Sequence, residues 1–443
     1  MHEQLLRTLG LGPMPAAAVA AALGISQPTV SRLVQRAGDS VVVGGKGRST
    51  RYGARRRILG VDSPIPVYVV DHLGGVRVLG QLQPVEPMGF LWTPTSPAAS
   101  AASSMQWFAD LPWFLNDVRP AGFLGRLLPR RHTELELPED VRLWTGDQVL
   151  RFITRHGHDL VGAVIVGDEA LRRHQQHRAV MVTDVDYPRL ATDILAGGLP
   201  GSSAAGEQPK FLADRVDDDK HRAVLVKWSP PIDPNNAVSG RWADLLLAEH
   251  HAHEALRAAG VPAAHTRIVD VGGRRFLQSE RFDRTDHGRR GLVSLASLDG
   301  EFVGSEHRSW SAATASLLKL KVIGADDHRL VRIAEGFGGV IGNSDMHFGN
   351  LSFFADGIDV QGLAPLYDML PMRYAPVAGE VVARAVEIVA PTPKDADIAA
   401  VVFAAGAAFW RAILDDDRAS EALREIARGH QGLIAGASAI AAR

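Results

Sequence analysis

The chain has 443 residues, enough for about three domain-sized units, and its 46% hydrophobic and 22% charged content is that of an ordinary globular protein. It has no cysteine, which excludes disulfides, thiolate metal sites and cysteine nucleophiles and fits a cytoplasmic location. The net charge of −2 conceals a split: residues 1–57 hold nine Lys/Arg against two Asp/Glu, while residues 58–443 hold 39 against 48. A basic first segment on an acidic body points to a module with an anionic partner. Residues 1–20 lack the pattern of a signal peptide. No apolar run approaches the ~20 residues that span a bilayer, so no membrane partner is expected.

Residues 2–9 read as a first short helix and Met14–Leu23 as a second, broken at Gly24. Ser26 can cap a third helix with Pro28 in its first turn. That helix turns Val30, Leu33 and Val34 to one face and leaves Gln27, Thr29, Ser31, Arg32 and Gln35 mostly outward. "SVVVGGKGRSTRYGARRR" follows as strand, glycine-basic turn and strand. Three helices and a basic hairpin predict a winged helix-turn-helix. Gln27, Thr29 and Arg32 would enter the major groove of DNA, and Lys46, Arg48 and Arg51 of the wing would meet phosphates or the minor groove. Helix-turn-helix proteins often read two half-sites, so a homodimer is an expectation by analogy.

Residues 64–90 contain two strand-like runs around His72-Leu73-Gly74-Gly75, and residues 93–104 form a loop or linker. Residues 107–180 read as mixed, mainly helical, with Arg130, Arg131 and His132 on a solvated face. From about residue 195 a Gly/Ser/Ala loop runs into a strand, a turn, and a second strand bearing Lys227. Backbone N–H groups of such a loop approach phosphate oxygens closely. A long helix follows from about Arg241 to Gly260. On it, Glu249 is either a partner for Lys227 or an exposed acid, and His250, His251 and His253 read as a solvated polar face rather than a metal site. A hairpin around Gly272-Gly273 and helices over 309–340 come next. The last ~60 residues are alanine-rich helices.

The segment "IGNSDMHFGN" (341–350) carries the chemistry. After it, "LSFF" and "IDVQGL" form a hairpin that returns Asp368 to the neighbourhood of Asp345 and Asn350. Two carboxylates and an amide oxygen converging on one point suit Mg²⁺. The Asp345–Asn350 spacing equals that between the catalytic Asp and the metal-binding Asn of protein kinases. Asp345 is therefore a candidate base, Asn350 and Asp368 are candidate metal ligands, and Lys227 is the cation for ATP phosphates. His347 could orient the loop or touch phosphate.

In order along the chain, "SSAAGEQPKF", "VKW", "ERFDR", "GNSDMHFGN" and "PLYDMLP" resemble the successive motifs of HipA-type toxin kinases. The fused helix-turn-helix resembles the YjjJ-like branch of that family. The resemblance spans about 60–390 and implies an α+β, two-lobed kinase fold related to protein and phosphoinositide kinases. It divides the chain into a helix-turn-helix (1–60), a HipA N-terminal-like region (61–190), a kinase core (191–390) and a C-terminal helical part (391–443). It implies ATP and Mg²⁺ as cofactors and Ser/Thr phosphorylation of a translation component such as an aminoacyl-tRNA synthetase. Lys227 would contact the α/β-phosphates, with Ser202, Ser203, Ala204, Gly206 and Lys210 around them, and the stretch containing Gln278, Glu280 and Phe282 would hold adenine. Ser203, or its neighbour Ser202, would be the site of inactivating autophosphorylation. In ordinary family members a separate antitoxin binds the operator; here residues 1–57 would do so, and the loose match before residue 195 leaves antitoxin contacts open. Two alternatives stand beside the kinase: a transcription regulator that senses nucleotide, and a small-molecule phosphotransferase.

Overall fold

The computed structural model describes residues 1–95, 105–196, 208–217, 220–305 and 309–441. The chain divides into two compact units, Met1–Ala121 with Leu128–His177, and Gly122–Leu127 with Arg178–Arg443.

The first unit begins with α1 (His2–Leu9), β1 (Met14–Pro15), α2 (Ala16–Leu23), α3 (Gln27–Ala37), β2 (Val41–Gly44) and β3 (Arg51–Ala54). The second helix is shorter than its sequence predicts, because Met14 and Pro15 pair with Tyr52 and Arg51 as a third strand. Gly24 takes φ +64° at the end of α2, the left-handed turn that glycine makes at least cost. Leu5, Leu9, Val19, Val30, Val34 and Tyr52 form the core beneath. The strands β4 (Ile65–Val70), β5 (Val76–Pro84), β6 (Phe90–Pro94), β7 (Gln106–Phe108) and β8 (Val164–Val166) build an antiparallel sheet in the order β7-β6-β5-β4-β8. The hairpin β2–β3 is seated on this sheet rather than hung from a linker. Val42 packs with Val85, Leu91 and Trp107, and Glu86 N–H donates to Ala54 O at 2.9 Å. The unit also holds the end of α4 (Gly122–Arg131) from Leu128 onward, then α5 (Gly146–His156) and α6 (Asp168–Gln176).

In the second unit, α7 (Tyr187–Ala196) precedes β9 (Lys210–Asp217) and β10 (Lys220–Trp228), α8 (Ala237–Ala258), β11 (Thr266–Val271) and β12 (Arg274–Glu280). The four strands form a sheet in the order β11-β12-β10-β9. Alternation decides its faces. Val224, Val226 and Trp228 pack with Phe123, Phe211, Phe276 and Tyr187, and Lys227 projects to the other face, toward α8. Next come β13 (Gly291–Ser294), α9 (Leu295–Leu298), α10 (Trp310–Lys319), α11 (Ala325–Ile341), and the hairpin β14 (Ser352–Asp356) and β15 (Asp359–Leu363), then α12 (Ala396–Asp415) and α13 (Glu421–Ala441). By length and composition the helical stretch Pro393–Asp415 is apolar enough to cross a membrane, contrary to the sequence expectation. Val402, Phe403, Phe409, Trp410 and Ile413 are nevertheless buried along it, and α8, α11 and α13 pack against α12 as they would against a core helix.

Candidate active site

Lys227 is 6% exposed. A lone buried ammonium is costly, so the site must supply countercharge. It does so from two distant elements. Nζ donates to Glu249 Oε1 at 2.6 Å and Oε2 at 2.7 Å, and it also bonds Asp368 Oδ1. Burial alone would push the lysine down; the Asp368 and Glu249 carboxylates outweigh it and hold the ammonium above its ordinary range. Burial raises the Glu249 carboxyl against the pull of Lys227. At Asp368 burial pushes upward too, but Lys227 and then Lys210 prevail and hold the carboxyl far below its usual range. Lys210 stands directly opposite Lys227 in the β9–β10 register. Two cations facing each other across a strand pair repel. This arrangement suits a site built to receive several negative charges.

Glu249 reaches Lys227 because α8 is buried on most sides, its polar residues included. Asn236 caps the helix, its side chain accepting from Val238 N–H at 3.0 Å and Ser239 N–H at 3.3 Å. The histidines are not a solvated face as expected. His253 is fully buried, His250 bonds Thr266 and His251 bonds Asp416, each at 2.9 Å. Glu249, His253 and Arg257 follow at four-residue spacing on one helix face. The face runs from Lys227 to a cavity of about 410 Å³ that includes Arg257 in its lining.

Asp368 sits at φ +54°, an uncommon conformation for a residue with a side chain. Its neighbours fix it there. Leu366 N–H donates to Pro262 O, and Ala264 N–H donates to Leu366 O, both at 2.9 Å. The Tyr367 hydroxyl donates to Gly349 O at 2.7 Å and bonds the Ser352 hydroxyl at 2.9 Å. Tyr367 thereby ties the Asp368 segment to the 345–350 loop. In that loop Asn350 is buried and its Nδ2 donates to Asp345 O at 2.9 Å. This leaves Asn350 Oδ1, the atom that ligates hard cations, without a hydrogen bond from the described residues. Asp368 Oδ2 is likewise without one, so the two oxygens fit Mg²⁺ by donor type. The Asp345 backbone N–H donates to Asn343 Oδ1 at 3.0 Å, and its carboxylate is exposed with no partner among the described residues. His347 is exposed; its Nδ1 accepts from Gly349 N–H at 3.1 Å and its carbonyl accepts from Trp310 Nε1 at 3.2 Å. Its contacts thus shape the loop.

The expected adenine stretch divides. Glu280 and Phe282 line the cavity with Ala223, His265 and several arginines, among them Arg222, Arg281 and Arg290. The Phe282 ring lies 6.0 Å from that of Tyr367. Gln278 pairs with Val226 and so lies on the sheet face away from Lys227. There its Oε1 accepts from the Tyr187 hydroxyl at 2.7 Å and from Arg267 at 2.9 Å. Ser202, Ser203, Ala204 and Gly206 lie outside the described residues. Sequence reasoning took His253 for part of a solvated face and gave the cavity residues Arg222, Arg257 and Arg290 no role. The four-residue steps from Glu249 to His253 and from His253 to Arg257 were the available signal. Gln27, Arg32, Lys46, Arg48 and Arg51 of the first unit are exposed and Thr29 is half-buried. Arg56 is not available to a partner there, being bonded to Asp147, Val85 O and Gly89 O.

A buried lysine, a helix carboxylate, a second carboxylate after a hairpin and an Asp-Asn loop are the groups that handle polyphosphate in phosphoryl transfer. Residues 202–432 match the HipA-like C-terminal domain, which defines the class. More narrowly, residues 61–175 match the middle domain of YjjJ-like toxins. The chain is also 38% identical over 437 residues to Toxin YjjJ of Escherichia coli (strain K12), covering 96% of each. It belongs to the YjjJ-like toxin family. Among solved structures, HipA in the Shewanella oneidensis MR-1 complex of HipA, HipB and operator DNA superposes with TM-score 0.46 at 15% identity, over 84% of this chain and 96% of that one. The Helicobacter pylori proinflammatory kinase CtkA gives 0.36 at 13%, over 52% and 92%.

Proposed function

We propose that this chain is an ATP- and Mg²⁺-dependent serine/threonine protein kinase of the HipA toxin type, with a winged helix-turn-helix in residues 1–60 that binds its own operator. The observation that carries the reading is the convergence of Glu249 and Asp368 on Lys227, with Lys210 opposite. In this reading Lys227 and Lys210 hold the phosphates of ATP, and Glu249 fixes the direction of the Lys227 ammonium. Glu280 and Phe282 bound the adenine cavity, and Ser202, Ser203, Ala204 and Gly206 cover the phosphates. Asn350 and Asp368 would hold Mg²⁺, which when bound neutralises charge on the phosphate oxygens. Asp345, open to solvent, accepts the proton of the attacking hydroxyl. Positioning and fixed charge do the catalytic work.

The substrate class is a protein hydroxyl, with a translation component such as an aminoacyl-tRNA synthetase as the family resemblance implies. Ser203 or Ser202 is the autophosphorylation site. Beyond residues 1–60 we read 61–190, 191–390 and 391–443 as the HipA N-terminal-like, kinase-core and helical segments of a two-lobed, cytoplasmic kinase. Operator DNA and a separate antitoxin are the proposed partners, with a homodimer on two half-sites.

The test is incubation with γ-labelled ATP and Mg²⁺, alone and with cell lysate, beside Asp345→Ala. The expected outcome is labelled protein that disappears with the substitution. Absence of Asp345-dependent labelling would end the kinase reading, and label confined to small molecules would favour a small-molecule phosphotransferase. Arg32→Ala and Arg51→Ala should each weaken operator retardation, with steep salt dependence; unchanged retardation by both would remove the DNA-binding role.

A further inference from the structure

Arg130, Arg131 and His132 read from sequence as a solvated face. The fold gives His132 different company. It follows the last residue of α4, its N–H donating to Leu128 O at 2.9 Å. The next turn places Glu134 beside it, and α5 ends on His156 against the same spot. His132 Nδ1 lies 3.4 Å from Glu134 Oε1, and His156 Nε2 lies 3.3 Å from the same oxygen. One ligand atom from each of the three residues lies within 4.8 Å of the others.

The two imidazole-to-carboxylate separations, 3.4 and 3.3 Å, are long for hydrogen bonds, whose N···O distances centre near ~2.9 Å. They fit the edge of a tetrahedron around zinc, about 3.3 Å for bonds of about 2.0–2.1 Å. The cluster is also held in place. Leu135 is buried and its carbonyl accepts from Arg151 at 2.8 Å, which pins the turn that carries Glu134. Phe152, 2% exposed, lies 5.5 Å from the His132 ring and 5.6 Å from that of His156, an apolar wall behind the donors. The His132 and His156 side chains are 25% and 12% exposed, while that of Glu134 is 57% exposed. The imidazoles are therefore largely fixed, and the open side lies at the carboxylate. Arg173 NH1 approaches Nδ1 of His156 at 3.5 Å. That is the nitrogen away from Glu134, and Arg173 is 42% exposed and tethered to Glu169 at 2.8 Å. It can turn outward when Nδ1 carries the proton.

We propose that His132, Glu134 and His156 form a binding site for a divalent transition metal of the zinc type, with water in the fourth position. Two imidazoles and one carboxylate select zinc-like ions over Mg²⁺, which takes oxygen donors. The ion would join the end of α4 to the end of α5. This site is independent of the kinase reading, which uses none of its residues.

The test uses the full-length chain without an affinity tag, stripped with chelator and dialysed against low-micromolar Zn²⁺. It is run in an Asp368→Asn background so that zinc held at the phosphate site is not counted. Bound metal is measured by atomic emission. The parent should hold about one more equivalent than its His132→Gln and His156→Gln derivatives, and Co²⁺ should give the visible absorption of a tetrahedral site in the parent alone. Glu134→Gln, at an exposed position that tolerates substitution, should bind zinc at least tenfold more weakly with an unchanged circular dichroism spectrum. Excess Mg²⁺ should not displace the ion. Equal zinc content in the parent and all three derivatives, or no retained zinc in the parent, would overturn the proposal.

Discussion

Lys227 is the residue where structure and chemistry are hardest to separate. Replacing it with Met leaves Glu249 buried beside Asp368 with no cation on Nζ's side. Breaking a buried pair from one side typically costs about 3–5 kcal/mol. Lys227→Met should therefore lower the urea midpoint as well as abolish phosphate transfer. Adding Glu249→Gln removes the stranded charge and should recover a large part of the stability while transfer stays absent. Denaturation curves and a labelling assay on the single and double variants check this; a double variant no more stable than the single would mean that the pair is not what couples β10 to α8. The sequence made Lys227 and the Asp345–Asn350 spacing visible because each lies in a local pattern. Glu249 could not be settled, since whether a helix acid is buried depends on what packs over α8. His132 was misread for a related reason: its partner His156 is 24 residues away.

At the scale of elements, the hairpin β2–β3 and the sheet beneath it show a similar limit. The strands and the glycine turn were legible, but the face on which the hairpin rests was not. Gly44 reveals it. A Cβ there would stand 2.7 Å from Leu91 Cδ1 and 2.8 Å from Trp107 Cζ2, so a side chain at 44 would lift the hairpin from β6 and β7. Overpacking of this kind costs about 1–3 kcal/mol. Gly47, at φ +56° with nothing within 4 Å of its Cβ position, should cost only about 1 kcal/mol when changed to Ala, through backbone strain alone. Gly44→Val should thus lower the melting temperature of the chain more than Gly47→Ala. It should also weaken DNA retardation if the module works only when seated. Equal melting temperatures would refute the seating. The seating also explains why Arg56 of the basic segment serves structure: it bonds Asp147.

Over the whole molecule, buried neutral histidines set a common response to acid. Burial, and then the Lys227 charge, hold His253 down to about 3. Burial likewise holds His250 and His430 down to about 4. In the unfolded chain each imidazole returns to about 6.5. Above that value neither state binds the proton and the histidines leave stability unchanged. As pH falls below it, the unfolded chain takes up protons that the folded chain refuses, so stability drops steadily until the folded values are reached. The depressed carboxyls Asp368 and Asp416 act later and with the same sign, their stabilisation being lost only below about pH 4. The raised Glu249 and Asp244 carboxyls oppose this, since the folded chain protonates them first; the three histidines outnumber them, and the urea midpoint should fall between pH 6.5 and pH 4.5. His253 offers a direct check, since both of its ring nitrogens are buried without a hydrogen-bond partner among the described residues. His253→Leu removes one titrating group and two unsatisfied atoms together. It should be at least as stable as the parent at pH 7 and lose less stability by pH 5, by up to about 1.4 kcal/mol per pH unit. A pH slope equal to that of the parent would show that His253 is protonated in the folded chain, and that the charge on Lys227 is tolerated beside a second cation.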